Sequence, residues 1–144
     1  MRIAYIEDMD HWRSTFSFSI PIKVRFSETD LFGHVNNTSP FIYFEEARIE
    51  FLKSKGMFIK ESEAIPVVSD LQCDYLQQMY FDESFDVYVK ANHVGNTSLD
   101  LHYMVLNEKG EIALTGRGRL VYINPKTGET VSLPEEMKEL LVKN

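Results

Sequence analysis

From Ile65 to Tyr122 the chain places apolar residues at every second position, in four successive runs. Ile65, Val67, Ser69, Leu71, Cys73 and Tyr75 form the first face, and Phe85, Val87, Val89 and Ala91 the second. Leu99, Leu101, Tyr103 and Val105 form the third, and the fourth runs from Ile112 through Leu114 to Leu120 and Tyr122. Period two is the signature of half-buried strands. The links at Gly95-Asn96 and from Asn107 to Gly110 are short and of hairpin type, so the last three strands should form an antiparallel meander. Residues 18–26 add a fifth run, with Phe18, Ile20, Ile22, Val24 and Phe26 on one side. Pro21 lacks a ladder donor and moves that strand to an edge or a bulge. Open edges at 18–26 and 65–76 invite pairing with a second copy.

Only one long stretch has helical spacing, and it must cover one face of this sheet. The expected architecture is therefore α+β, with five or six antiparallel strands and one central helix held by the sheet. The helix should run for about 18 residues and end near Gly56, a favourable residue just past a helix end. Asn36 and Asn37 are both good caps, and Pro40 discriminates between them. With Asn36 as cap, Pro40 would delete a helical hydrogen bond; with Asn37 or the residue just after it, the missing N–H costs nothing. Phe41, Phe44, Phe51 and Leu52 share one face with Glu45 and Arg48, which at a spacing of three should pair with each other. Tyr43, Ile42 and Ile49 widen the apolar girth, as expected for a helix wrapped on more than one side. Glu46 and Glu50 look outward.

Residues 1–16 show no clean period and read as an extension packed on the body or on a neighbouring subunit. Asn124 to Gly128 should close the sheet with a turn, and 133–143 reads as a short terminal helix. At 144 residues, with 44% hydrophobic and 26% charged positions, the chain reads as a single ordinary globular domain. No run approaches the roughly 18 apolar residues of a membrane span, and acids at Glu7, Asp8 and Asp10 replace a signal-peptide core. The net charge of −7 disfavours nucleic acid. The single cysteine, Cys73, allows no disulfide within the chain, which points to a reducing, cytoplasmic setting. It belongs on a core-facing strand position. Four scattered histidines (His11, His34, His93, His102) show no metal-ligand spacing, and neither metal nor cofactor is expected.

The chemistry concentrates where the first strand meets the helix, in Phe26-Ser-Glu-Thr-Asp-Leu-Phe-Gly-His-Val-Asn-Asn-Thr-Ser-Pro40. A carboxylate (Asp30), a flexible Gly33 and an imidazole (His34) precede a helix start, whose unpaired N–H groups favour a developing oxyanion. Such a donor can lower an acyl-transfer barrier by about 3–4 kcal/mol. A carboxylate can serve as nucleophile or as general base. Asp30 in a bland role would form an Asx-turn, and Asn36 and Asn37 would be caps.

Thr29-Asp-Leu-Phe-Gly-His-Val-Asn-Asn37, followed by Tyr43-Phe-Glu-Glu-Ala-Arg48, resembles the 4-hydroxybenzoyl-CoA thioesterase-like family. The resemblance spans roughly 18–135 and also takes in Asp74-Tyr-Leu76, Gly95-Asn-Thr-Ser98 and Gly116-Arg-Gly-Arg119. It implies the hotdog fold, in which a curved sheet wraps a central helix, and hydrolysis of an acyl-CoA in a site shared between subunits of a homodimer or homotetramer. Asp30 matches the family's catalytic carboxylate, the amide at Asn37 the carbonyl-polarising donor, and His34 an orienting group. Gly33, Val35, Asn36 and Tyr43 fall at substrate-binding positions. Gly95, Asn96, Thr97 and Ser98 fall where CoA phosphate or the subunit seam could be contacted. Pro40 departs from the pattern, which commonly has an aromatic residue there, and this bears on the acyl pocket. Two alternatives follow from the same resemblance: a thioesterase acting on acyl-carrier protein, and an acyl-ligand-binding protein without activity. A dehydratase is disfavoured because the His-Phe-Pro run of such enzymes is missing.

Overall fold

In the computed structural model, which describes residues 2–57 and 64–143, the order of elements is α1 (Met9–Ser14), β1 (Phe18–Lys23), a 3-10 turn (Phe26–Glu28), α2 (Ser39–Ser54), β2 (Ile65–Tyr75), β3 (Ser84–Val94), β4 (Ser98–Leu106), β5 (Ile112–Ile123) and α3 (Glu135–Lys143). The five strands form one sheet in the order β1-β3-β4-β5-β2, antiparallel throughout. The expected meander is present, and the two strands expected at the edges are the edges. Pro21 sits in β1 opposite Asp86, where its missing N–H can face outward.

Helix α2 begins within the range that Pro40 leaves open. Its N-cap is Thr38, the residue just after Asn37, and Pro40 falls within its first two positions, where an N–H would go unpaired anyway. Lys55 is the C-cap, and Gly56 follows with φ +77. The buried stripe holds Pro40, Tyr43, Phe44, Ala47, Arg48, Phe51 and Leu52, and Phe41 is half-buried. Ile42 and Ile49 are exposed, so this chain alone does not wrap the helix on a second side. Glu45 and Arg48 do pair, at 3.7 Å, but Arg48 lies inward and also donates to the buried Tyr103 hydroxyl at 3.2 Å.

The inner face of the sheet receives α2 through stacked rings. Phe44 lies parallel to Tyr103 with centroids 4.5 Å apart. Gly116 makes this approach possible, because a Cβ there would come within 2.5 Å of the Phe44 ring. Burying a ring such as Phe44 contributes about 1.5–3 kcal/mol.

The outer face is covered too. Ile3, Ile6 and Trp12 pack with Met104, flanked by Tyr5, Phe16, Tyr88 and Leu106. The N-terminal stretch thus packs on its own body. It contains a six-residue helix the periodicity did not reveal, started by Asp8, whose carboxylate accepts the His11 N–H at 3.2 Å. Because the cover lies over β4, His102 and Met104 are as buried as the inward Leu101 and Tyr103, and the alternation of that strand is lost. No helix among the described residues is long and apolar enough to cross a membrane.

Candidate active site

The first strand stops at Lys23 rather than at residue 26. Val24 is still buried, but Phe26 is 77% exposed. The cause is Glu28: its carboxylate takes the Arg25 N–H at 2.8 Å and the Arg25 guanidinium at 2.9 Å, which closes the 3-10 turn and rotates Phe26 outward. The buried Glu28 also accepts the Tyr43 hydroxyl at 2.9 Å. Burial alone would raise the Glu28 pKa, yet these hydrogen bonds outweigh it and hold the carboxyl below its usual range. Burial first, and then the bond to Glu28, raise the Tyr43 hydroxyl well above its ordinary value. The Glu28 backbone carbonyl accepts the Asn36 N–H at 2.8 Å and the Ser39 hydroxyl at 3.0 Å. Glu28 thereby anchors the loop to the start of α2.

On this anchor the chain makes a small closed loop. The Asp30 N–H donates to the His34 carbonyl at 2.9 Å, and the Gly33 N–H to the Asp30 carbonyl at 3.1 Å, with Gly33 at φ +87. That φ is disfavoured for a residue with a Cβ, so Gly33 is required by the turn. Asp30 does form an Asx-turn, accepting the Phe32 N–H on Oδ1 at 2.8 Å. Its Oδ2 remains turned toward His34 Nδ1, 3.5 Å away. His34 is half-buried, stacked on Phe32 and edge-on to Tyr80. At the loop tip Leu31 and Phe32 are 94% and 78% exposed.

The ribbon from His34 to Ser39 spends its amides unevenly. The Val35 N–H donates to the Met79 carbonyl at 2.7 Å and the Asn36 N–H to Glu28. The Thr38 N–H reaches the Asn36 side-chain oxygen at 3.1 Å, and the Ser39 N–H the Asn36 carbonyl at 3.0 Å. Among the described residues the Asn37 N–H has no such partner, and neither does its side-chain amide. Asn37 faces a cavity of about 160 Å³, lined also by Val35, Pro40, Tyr75, Met79 and Leu114. Pro40, the position noted as atypical, therefore shapes this cavity directly.

The structure places the anticipated residues unequally. Asp30, Gly33, His34, Val35, Asn36 and Asn37 share one ribbon, and Asn37 and Val35 line the cavity, which Asp30 itself does not. Tyr43 is buried on Glu28, away from that lining. The hairpin Gly95, Asn96, Thr97 and Ser98 joins β3 to β4, and there the Gly95 N–H meets the Ser98 carbonyl at 2.8 Å. It lies at the far end of the sheet, since the loop joins the sheet at Met79 and Tyr80, before the start of β3. An 11-residue strand separates the two ends, about 35 Å of chain. Within one chain these residues and Asp30 cannot touch the same small group. Asn96 instead accepts Lys138 of α3 at 3.1 Å.

Sequence reasoning missed Glu28 and Tyr75. The spacing of three between Arg25 and Glu28 was a readable signal for the first. Tyr75 ends β2, and its hydroxyl donates to the Asn37 carbonyl across 38 positions of sequence; only its alternation with Cys73 hinted that it faces inward.

Residues 24–141 match the model of the Thioesterase-like superfamily. The chain is 44% identical over 140 residues to the uncharacterized protein YsmA of Bacillus subtilis (strain 168), covering 96% of this chain and 95% of that one. A predicted thioesterase from Bacillus stearothermophilus superposes with a TM-score of 0.77 at 31% identity, over 88% of this chain and 94% of the other. The DHNA-CoA thioesterase from Staphylococcus aureus gives a TM-score of 0.80 at 25% identity, over 87% and 88%. A curved five-stranded antiparallel sheet around one helix, with this loop at the helix start, is the hotdog fold, and the chain belongs to the thioesterase-like superfamily.

Proposed function

We propose that the protein hydrolyses an acyl-CoA thioester, releasing the free acid and CoA, with Asp30 as nucleophile or general base and the Asn37 amide as oxyanion donor. The observation that carries this reading is the unspent N–H of Asn37, a residue that lines a cavity, while the amides of Val35, Asn36, Thr38 and Ser39 around it are engaged. A preorganised donor aimed at a developing oxyanion costs no reorganisation during the reaction. Asp30 supplies the second element, with Oδ1 fixed by the Asx-turn and Oδ2 free for chemistry beside His34. His34 can orient that carboxylate or a water. The thiolate is a good leaving group, so a strong general acid is dispensable. The similarity to a DHNA-CoA thioesterase supports a CoA ester as substrate. The setting is cytoplasmic.

The site is completed, in this reading, by a second copy of the chain. Leu31, Phe32 and Phe26 stand exposed around Asp30, Ile42 and Ile49 stand exposed on α2, and the edge of β2 is open. The test is free-thiol release from a panel of acyl-CoAs by wild type and Asp30→Asn. No turnover of any member would sink the enzyme reading. Full activity in Asp30→Asn would keep the reaction and dismiss this carboxylate. Label found on Asp30 after a single turnover in ¹⁸O-water identifies the nucleophilic route, since a general base takes no oxygen from water. Trapping of an acyl–Asp30 anhydride reports the same route when water attacks the acyl carbon instead.

A further inference from the structure

We propose that Tyr75 is a positioning residue for the Asn37 amide, an inference that rests on the thioesterase reading above. Two peptide planes meet at the Asn37 Cα; its N–H lies in the plane before it, and the plane after it helps to fix the Cα on which that first plane ends. The plane before it is held because the Asn36 carbonyl accepts the Ser39 N–H at 3.0 Å. The plane after it is held at two points: its N–H, on Thr38, reaches the Asn36 side chain at 3.1 Å, and its carbonyl, on Asn37, accepts the Tyr75 hydroxyl.

That carbonyl has no claim on the helix. With Thr38 as N-cap, the Thr38 carbonyl is the first to enter the helical ladder, and the Asn37 carbonyl lies one residue outside it. Tyr75 is thus the tether of a peptide that helix formation leaves loose. The tether comes from a rigid element: Tyr75 closes β2 in register with Leu114 of β5, and its side chain lines the same cavity as Asn37. Burial, then the neighbouring Cys73, raise the hydroxyl pKa to about 12, so it stays a donor at any working pH. Without the hydroxyl the plane after Asn37 keeps only its Thr38 anchor, and the Cα that the two planes share is held less firmly. The plane bearing the free N–H can then tilt about its one remaining hydrogen bond, at the Asn36 carbonyl. The cavity, its lining and the loop stay in place. The loss therefore falls on turnover rather than on substrate binding.

The test uses Tyr75→Phe, which keeps the ring and removes only the donor at a position 43% exposed. Steady-state kinetics on the best acyl-CoA of the panel should show kcat lowered roughly 10- to 100-fold with KM changed by less than about 3-fold. The amide NMR signals of Asn37 and Thr38 should shift, while those of the distant Gly95–Ser98 hairpin stay. A kcat within about 2-fold of wild type overturns the proposal, as does a KM increase that accounts for the whole loss. If wild type turns over no acyl-CoA, the thioesterase reading fails separately. The amide signals then decide the tether alone: a shift confined to Asn37 and Thr38 keeps it, and unchanged signals reject it.

Discussion

The indole N–H of Trp12 donates to Nδ1 of His102 at 2.9 Å, joining the N-terminal stretch to the centre of the outer sheet face. Because an indole can only donate, that ring nitrogen must carry no proton, and His102 is held neutral with its hydrogen on Nε2. Nε2 lies 3.4 Å from Asp100, which in turn engages Arg117.

This arrangement makes stability depend on acid. Burial lowers the His102 pKa from 6.5 to about 4; Asp100 pulls it back up, and Lys90 and Arg117 push it down. The unfolded chain therefore takes up the proton first as pH falls. The contribution is complete above pH 6.5, declines between 6.5 and 4, and is lost below, for a total of about 3 kcal/mol. Urea midpoints followed by circular dichroism across this window should fall accordingly in wild type. His102→Gln should flatten the decline; an unchanged slope in that variant would place the acid sensitivity elsewhere.

Asp30→Asn preserves the Asx-turn, since an amide oxygen can accept the Phe32 N–H as the carboxylate does. The expected result is a loss of about 100-fold or more in kcat with little change in thermal midpoint. A melting point that drops with activity would recast Asp30 as a structural turn residue.

Tyr43 tests the substrate-binding position implied by family resemblance. Its hydroxyl is committed to Glu28 in a buried bond. Tyr43→Phe should cost about 1 kcal/mol in stability and leave KM alone. Raised KM with unchanged stability would instead return the residue to the substrate.

Gly116→Ala should cost about 1–3 kcal/mol, because the added methyl meets the Phe44 ring at 2.5 Å. Phe44→Leu in the same chain should recover part of this, read as a coupling in a double-mutant cycle of urea midpoints. Additive losses would mean that the ring moves aside freely.

Period two made the strands legible, and the helix start could be placed within a residue because Pro40 restricts where a cap can stand. Phe26 was misread because alternation carries no information about Glu28 catching Arg25 and turning the chain. The helix holding Trp12 was missed because six residues give no measurable period. That the hairpin at Gly95 lies at the opposite end of the sheet from Asp30 within one chain is a matter of strand direction and register, which residue type does not carry. Tyr75 and Asn37 meet only through folding, and neither position signals the other.

The chain has a single tryptophan, and it sits at the seam between the N-terminal stretch and the sheet. Its fluorescence is therefore an optical gauge of whether that stretch is seated, with no label required. Lifting the stretch would move a buried indole into water and shift its emission to the red, even while the sheet and its central helix stayed folded.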